Sequence, residues 1–180
     1  MSMDRKVLHS IVIFCLIPFL LISGRVNAEN QDITFEEKYA QVGFKTLEES
    51  IKEFQNHFKK DVALPKSTPS IQFTHKFGRF YEDKEYKTND FLEIQYVNEN
   101  ISENNYKIDI RSLKNKLTFE GKTNQKKYKL EDGTNAIYFE DSLFNCLVFE
   151  KNNWQYIIGI DKRVSDKITP KDLIKIANSV

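Results

Sequence analysis

The apolar residues change period at Pro65, and that change limits what the chain can build. Before it, Leu47, Ile51, Phe54 and Phe58 recur every three or four residues, the spacing of one helical face. Beyond it they fall at every second position. Ile71, Phe73, His75 and Phe77 alternate with Gln72, Thr74 and Lys76. Leu92, Ile94 and Tyr96 alternate with Glu93 and Gln95, and Tyr106, Ile108 and Ile110 with Lys107 and Asp109. Alternation sets one side of a strand in the core and the other in water. Sheets with one wet face are typically antiparallel.

Local signals punctuate these runs. Thr46 and Glu49 fit a capping box, in which hydroxyl and carboxylate satisfy two free backbone donors. Lys59 and Lys60 complement the negative end of that helix, and Pro65 bars its continuation. This stripe serves either the domain's own core or a partner, and the core is the plainer reading. The polar stretch Asn98–Asn105 reads as a long hairpin turn. Tyr128 and Leu130 precede Glu131-Asp132-Gly133, a turn whose Asp-Gly pair tolerates positive φ. Strands follow at Thr134–Glu140 and Phe144–Glu150. Lys151-Asn152-Asn153 then leads into Trp154–Ile160. Thr169 as N-cap and Pro170 at the first helical position open a closing helix with the stripe Leu173, Ile176, Ala177 and Val180. The expected fold is α+β: an antiparallel sheet of about six or seven strands with an N-terminal and a C-terminal helix, a single domain over residues 46–180. Residues 29–45 form an N-terminal arm, for which loose chain and frayed helix both fit.

Arg5 and Lys6 precede an apolar run from Val7 to Ile22, and Ser23–Ala28 end it with small residues before a cut after Ala28. That is the layout of a secretory signal peptide, residues 1–28. The run is shorter than the roughly 20 apolar residues a spanning helix needs. The expectation is a secreted or extracytoplasmic protein, an uncleaved membrane anchor being the alternative. Cys15 lies inside the apolar run rather than at its end, which argues against a lipoprotein. Cys146 is then alone in the mature chain, so no intrachain disulfide forms. With 27 Lys and Arg against 26 Asp and Glu, the chain lacks the basic excess of a general nucleic-acid binder. Its 14 Phe and 8 Tyr argue against disorder.

The C-terminal unit carries a resemblance. Phe149-Glu-Lys-Asn-Asn-Trp-Gln-Tyr-Ile-Ile-Gly-Ile and Ile168-Thr-Pro-Lys-Asp-Leu-Ile-Lys-Ile-Ala-Asn-Ser-Val resemble the ending of a domain-of-unknown-function family, number 4367. There a strand pair bearing W-x-Y precedes a helix ending IA-x-S. The match is specific over the last third of the chain and looser from Thr46 onward, including Leu64-Pro65 and Leu92-Glu-Ile-Gln-Tyr. The resemblance implies an extracytoplasmic, non-catalytic domain of Gram-positive spore-forming bacteria. It transfers no site residues, because the matched positions pack and cap.

Chemistry-bearing residues are sparse. A thiol enzyme needs Cys146 beside His57 or His75, with a third group orienting the base. Yet Cys146 lies in an apolar strand, where a buried structural thiol is the usual outcome. Zinc needs three or four N or S ligands, more than two histidines and one cysteine supply. Glu82-Asp83-Lys84-Glu85 and Glu131-Asp132 lack the alternation of an EF-hand and read as solvated turns. Six glycines in all include no phosphate-cradling loop. No catalytic, cofactor-binding or metal residue is therefore assigned. Lys114, Lys116, Lys122, Lys126, Lys127 and Lys129, opposed by Glu120, would attract anionic wall polymer or lipid heads, although a solvated face is the simpler reading. The expected function is a non-enzymatic envelope module that binds a protein or peptide through its sheet or a strand edge. The alternatives are an envelope hydrolase, which would need a pocket holding His57 or His75 with acidic neighbours, and a carrier of a small apolar ligand.

Overall fold

A computed structural model describes residues 33–119, 122 and 124–180, and the export segment with its cut after Ala28 lies outside them. The first described element is a helix, α1 (Phe35–Gln41), capped by Thr34 and Glu37 in a reciprocal box. Of the arm, the described residues 33–45 thus contain a helix over Phe35–Gln41. Its Tyr39 stacks on Phe77 at 4.3 Å between ring centroids, and its Phe35 lies 4.9 Å from the His75 ring. Helix α2 (Leu47–Phe58) begins at the predicted box of Thr46 and Glu49 and ends with Lys59 in the left-handed region.

Seven strands follow: β1 (His75–Tyr81), β2 (Phe91–Val97), β3 (Asn105–Ser112), β4 (Lys126–Lys129), β5 (Asn135–Glu140), β6 (Phe144–Lys151) and β7 (Trp154–Asp161), before the closing helix α3 (Pro170–Asn178). They pair antiparallel throughout, in the order β1-β2-β3-β7-β6-β5-β4. The fold is α+β.

One face of the sheet carries the main core. Leu92, Ile94, Tyr106, Ile108, Ile110, Leu147, Phe149, Tyr156, Ile158 and Ile160 are almost wholly buried against Phe54 of α2 and Leu173, Ile176 and Ala177 of α3. The segment between α2 and β1 crosses the same face. Trp154 donates its indole N–H to the Asp61 carbonyl at 3.0 Å, and the Tyr156 hydroxyl donates to the Ala63 carbonyl at 2.9 Å. These bonds satisfy the polar tips of two buried aromatics while their rings fill the core. Where α2 crosses β1 the chains nearly touch: a Cβ on Gly78 would lie 2.7 Å from the Ser50 Cβ and 3.2 Å from the Leu47 Cα.

The first strand differs from expectation. The alternation Ile71–Phe77 predicts a strand from Ile71, but β1 starts at His75. The Gln72 carbonyl instead accepts from the side-chain amides of Asn98 and Asn104, at 3.1 and 2.9 Å. Ile71 and Phe73 still pack on the main core, whereas His75 and Phe77 turn to the opposite face beneath α1. The apolar pattern was therefore continuous across two different environments.

Both edges of the sheet are blunted. Lys45 exchanges two backbone bonds with Gly78 along β1, at 2.8 and 3.0 Å. Strand β4 is four residues long and carries Lys126, Lys127 and Lys129, which discourages pairing with another chain. Since β4 sits at the far edge from β3, their connection must cross three strands, β7, β6 and β5. It does so over the outer face. There the Leu117 backbone N–H and carbonyl both bond the Gln155 side chain, at 2.8 and 2.9 Å, and Phe119 stacks on Phe139 at 5.0 Å.

Candidate functional site

The strand register composes the outer face. One cross-strand row runs Arg79, Glu93, Asp109, Ile157, Val148, Ile137 from β1 to β5. The adjacent row runs Lys107, Gly159, Cys146, Phe139. The face is ionic over β1–β3 and apolar over β7–β5. A cleft of about 200 Å³ opens where the two halves meet, between Lys107 and Asp109 on one side and Phe119, Phe139 and Phe144 on the other. Gly159 makes its floor. A Cβ there would meet Phe144 Cδ1 at 3.4 Å and Cys146 Sγ at 3.5 Å, ordinary contact distances, so the missing side chain is what keeps the floor low.

Buried charge borders this cleft. Lys107 Nζ lies 3.5 Å from Glu93 Oε1 and 3.4 Å from Asp109 Oδ1, and Arg79 closes the row on the other oxygen of Glu93. Burial would raise the Glu93 carboxyl, but Lys107, the Gln95 amide and Arg79 outweigh it and hold the group below its ordinary value. Asp109 goes the other way. Burial pushes it from 3.8 up to about 6, with the Glu93 charge adding to the effect and Lys107 offsetting only part. Its Oδ1 is buried and accepts no hydrogen bond; the approach to Lys107 is an ion pair without hydrogen-bond geometry. Burial pushes the Cys146 thiol up to about 12, with Asp141 and Asp109 contributing.

A second cleft, about 290 Å³, lies beside the end of α2. His57 Nε2 is 3.1 Å from Asp90 Oδ2, and its Nδ1 faces Glu82 Oε1 at 3.8 Å. Asp90 also accepts the Asp83 backbone N–H at 2.7 Å. Ser112, in the cleft wall, has a buried Oγ without a hydrogen-bond partner. His57, on the polar side of the helix end as the sequence pattern has it, stands between two acids with its side chain 32% exposed.

The three residues weighed for thiol chemistry do not meet. Cys146 is on β6 and His75 on β1, four strand spacings apart, about 19 Å at 4.7–4.9 Å per strand. His75 bonds Glu36 at 3.0 Å and Thr74 at 2.7 Å. His57 packs against Phe58 and Phe80, the latter on the α2 face of the sheet. The acidic turns serve the backbone: Asp83 accepts from the Tyr86 and Thr88 N–H groups, and Asp132 from that of Thr134. Among the described residues no group of three or more His, Cys, Asp or Glu is placed to hold a metal ion, and no helix is long and apolar enough to cross a membrane. The lysine set is dispersed. Lys116 pairs with Glu150 at 2.9 Å, Lys122 approaches Asp141 at 4.0 Å, and Lys114 joins the His57 cleft.

Sequence reasoning did not single out Asp109, Phe119, Phe139 or Gly159. Asp109 reads as any outward polar residue between Ile108 and Ile110. Gly159 did carry a signal, because an isolated glycine within a strand marks a gap or a close approach. Comparison with protein-family models, with curated proteins and with solved structures gives no match.

Proposed function

We propose that this chain is an exported, non-catalytic binding domain that engages a protein or peptide through the outer face of its sheet. The observation that carries this reading is the cleft at the ionic–apolar seam, where Asp109 is held buried with an oxygen unsatisfied. Its cationic neighbour there is Lys107 at 3.4 Å, an ion pair without hydrogen-bond geometry, and a well-aligned donor from a bound partner would offset what that incomplete hydrogen bonding costs. The arrangement of the helices supports the same reading, because α2 and α3 cover the opposite face, while α1 covers only the β1 end of this one and leaves the cleft to the Leu117–Phe119 strap. The cleft is smaller than the roughly 300–1,000 Å³ of small-molecule pockets and is bordered by charge, which weighs against an apolar-ligand carrier. The segment Arg5–Ala28, laid out as a secretory signal, supports the export part of this reading. The test is an array of short peptides of every side-chain class, probed with the chain and with Gly159→Leu, which raises the cleft floor. Loss of the bound spots in the folded variant is expected. The same pattern from both proteins would overturn the reading.

A second reading has its own observation. The His57–Asp90 pair in a cleft with Ser112 is the kind of pocket a hydrolase would need. Against it, a base needs its free nitrogen beside the nucleophile, whereas His57 Nδ1 faces Glu82 and Ser112 Oγ has no partner. Hydrolysis of activated esters at equal rates by the chain and by His57→Gln would remove this alternative.

A further inference from the structure

We infer that the outer-face cleft recognises the side chain of a lysine or arginine presented by the partner, and that Lys122 is a placeholder which this side chain displaces. The inference rests on the reading of the outer face as a binding surface and names the chemistry of what binds there.

Three observations converge. First, the cleft has the two parts that a long basic side chain needs. Phe119, Phe139 and Ile157 supply apolar wall, against which an aliphatic stem packs while its charged head stays at a polar rim. Asp109 and Asp141 supply that rim. Second, Asp109 Oδ1 is buried and accepts no hydrogen bond. Its one cationic neighbour, Lys107 at 3.4 Å, pairs with it without good hydrogen-bond geometry, so a better-aligned donor can still be taken, and ammonium or guanidinium N–H groups make the strongest bonds to a carboxylate. Third, the chain already shows a basic group at the mouth. Lys122 Nζ stands 5.6 Å from the centroid of the Phe139 ring and 4.0 Å from Asp141 Oδ2. Both distances are long for their kind: the cation sits near the outer limit of attraction to an aromatic face, and the side chain stays 46% exposed. Lys122 therefore marks the chemistry of the site without filling it.

The charges point the same way. Of the charged residues that line the cleft, Lys107 offsets Asp109, with Arg111 acting on Asp109 from farther along β3. Asp141 is matched by Lys122 alone among the described residues. When Lys122 swings into solvent the cleft gains a net negative charge, which a partner's cation replaces. An acidic side chain would repel Asp141, and a neutral one would leave it without a cation once Lys122 is displaced.

The test is a nuclear magnetic resonance titration of the ¹⁵N-labelled chain with the blocked tripeptide acetyl-Ala-Arg-Ala-amide and with its citrulline counterpart, which keeps the shape and loses the charge. The arginine peptide is expected to shift the amides of Gly159, Phe139 and Asp109. The citrulline peptide should bind at least tenfold more weakly. Asp109→Asn should lower the affinity for the arginine peptide at least tenfold, and Lys122→Ala should raise it severalfold; the dispersion of each spectrum reports folding. Equal binding of the arginine and citrulline peptides at the cleft would overturn this inference while leaving the outer-face binding reading standing. Weaker binding by Lys122→Ala would also overturn it, since Lys122 would then be a contact and not a placeholder. Shifts confined to other parts of the molecule would sink both readings.

Discussion

Asp109→Asn should stabilise this protein at neutral pH, and by an amount that depends on pH in a calculable way. The Asp109 side chain is 13% exposed and takes part in an ion pair with Lys107, yet burial still raises its carboxyl from 3.8 to about 6. Between those values the folded chain holds a proton that the unfolded chain has released. Stability therefore falls as pH rises through that window, because the unfolded state binds fewer protons. Below about pH 4 both states are protonated and the cost is absent. Above about pH 6 it is fully present, and at 1.36 kcal/mol per pH unit it amounts to about 3 kcal/mol. Asparagine imitates the protonated carboxyl in shape and charge at every pH, and Lys107 keeps its second partner, Glu93, at 3.5 Å. The variant should thus match the wild type near pH 3.5 and exceed it by about 2–3 kcal/mol near pH 8, a large step against a typical total of about 5–15 kcal/mol. Urea unfolding of both proteins at half-unit pH intervals gives the difference directly. A difference that stays flat with pH, or an asparagine variant that is the weaker protein at pH 8, would refute the assignment of Asp109 as a strained acid.

Three further outcomes are expected. Ile176→Ala, at a site 3% exposed beneath the sheet, should cost about 2–5 kcal/mol as a buried large-to-small change; an unshifted urea midpoint would show α3 is not part of the core. Gly78→Ala should lower the melting temperature, because its Cβ would lie 2.7 Å from the Ser50 Cβ and overpacking costs about 1–3 kcal/mol; an unchanged melt would mean α2 shifts freely over β1. Cys146, 9% exposed with its thiol pushed up to about 12, should react with a disulfide reagent many times more slowly in the native chain than in denaturant, since the thiolate is the reactive form. Rapid native labelling would place it outside the wall of the cleft.

The legible parts of this fold are those where one local rule acts alone. The Thr46–Glu49 box starts α2, and Thr169 with Pro170 starts α3, where the sequence pattern puts them. The stripes Tyr106-Ile108-Ile110 and Trp154-Tyr156-Ile158-Ile160 face the core, as alternation requires. Two things were not legible. The alternation from Ile71 to Phe77 was unbroken, yet side-chain amides from Asn98 and Asn104 intercept the backbone at Gln72, a contact made across at least 26 residues that no window of sequence displays. The strand order was equally hidden. Nothing in the run from Lys114 to Lys129 announces that β4 pairs four strands away from β3, and this long crossing is what builds the cleft wall from Leu117 and Phe119. The site is thus a product of topology. Its residues come from β3, β5, β6, β7 and the strap, and each of them looks ordinary in its own segment.

The two faces of the sheet differ in the kind of polar group that is buried on them without a partner. Against the helices, the polar tips of Trp154 and Tyr156 each find a backbone carbonyl. On the outer face, Arg79 Nε, Asn105 Oδ1, Asp109 Oδ1 and Arg111 Nε are buried without a hydrogen-bond partner, and on the helix side so are the Tyr106 hydroxyl, Ser112 Oγ and Asn145 Oδ1. What sets the outer face apart is that three of its four belong to charged side chains. Arg111 is 5% exposed and spends its charge on the Asn89 amide and on the face of Phe91, at 4.2 Å from the ring centroid. A sheet optimised for stability alone would carry apolar residues there under a second layer, since replacing buried ions with apolar groups is often neutral or favourable. Local rules broken without a compensating gain within the molecule fall, in folded proteins, at functional sites. On this sheet the charged ones fall on the face that carries the Asp109 cleft, which is why the proposed binding surface is the outer face and not a strand edge.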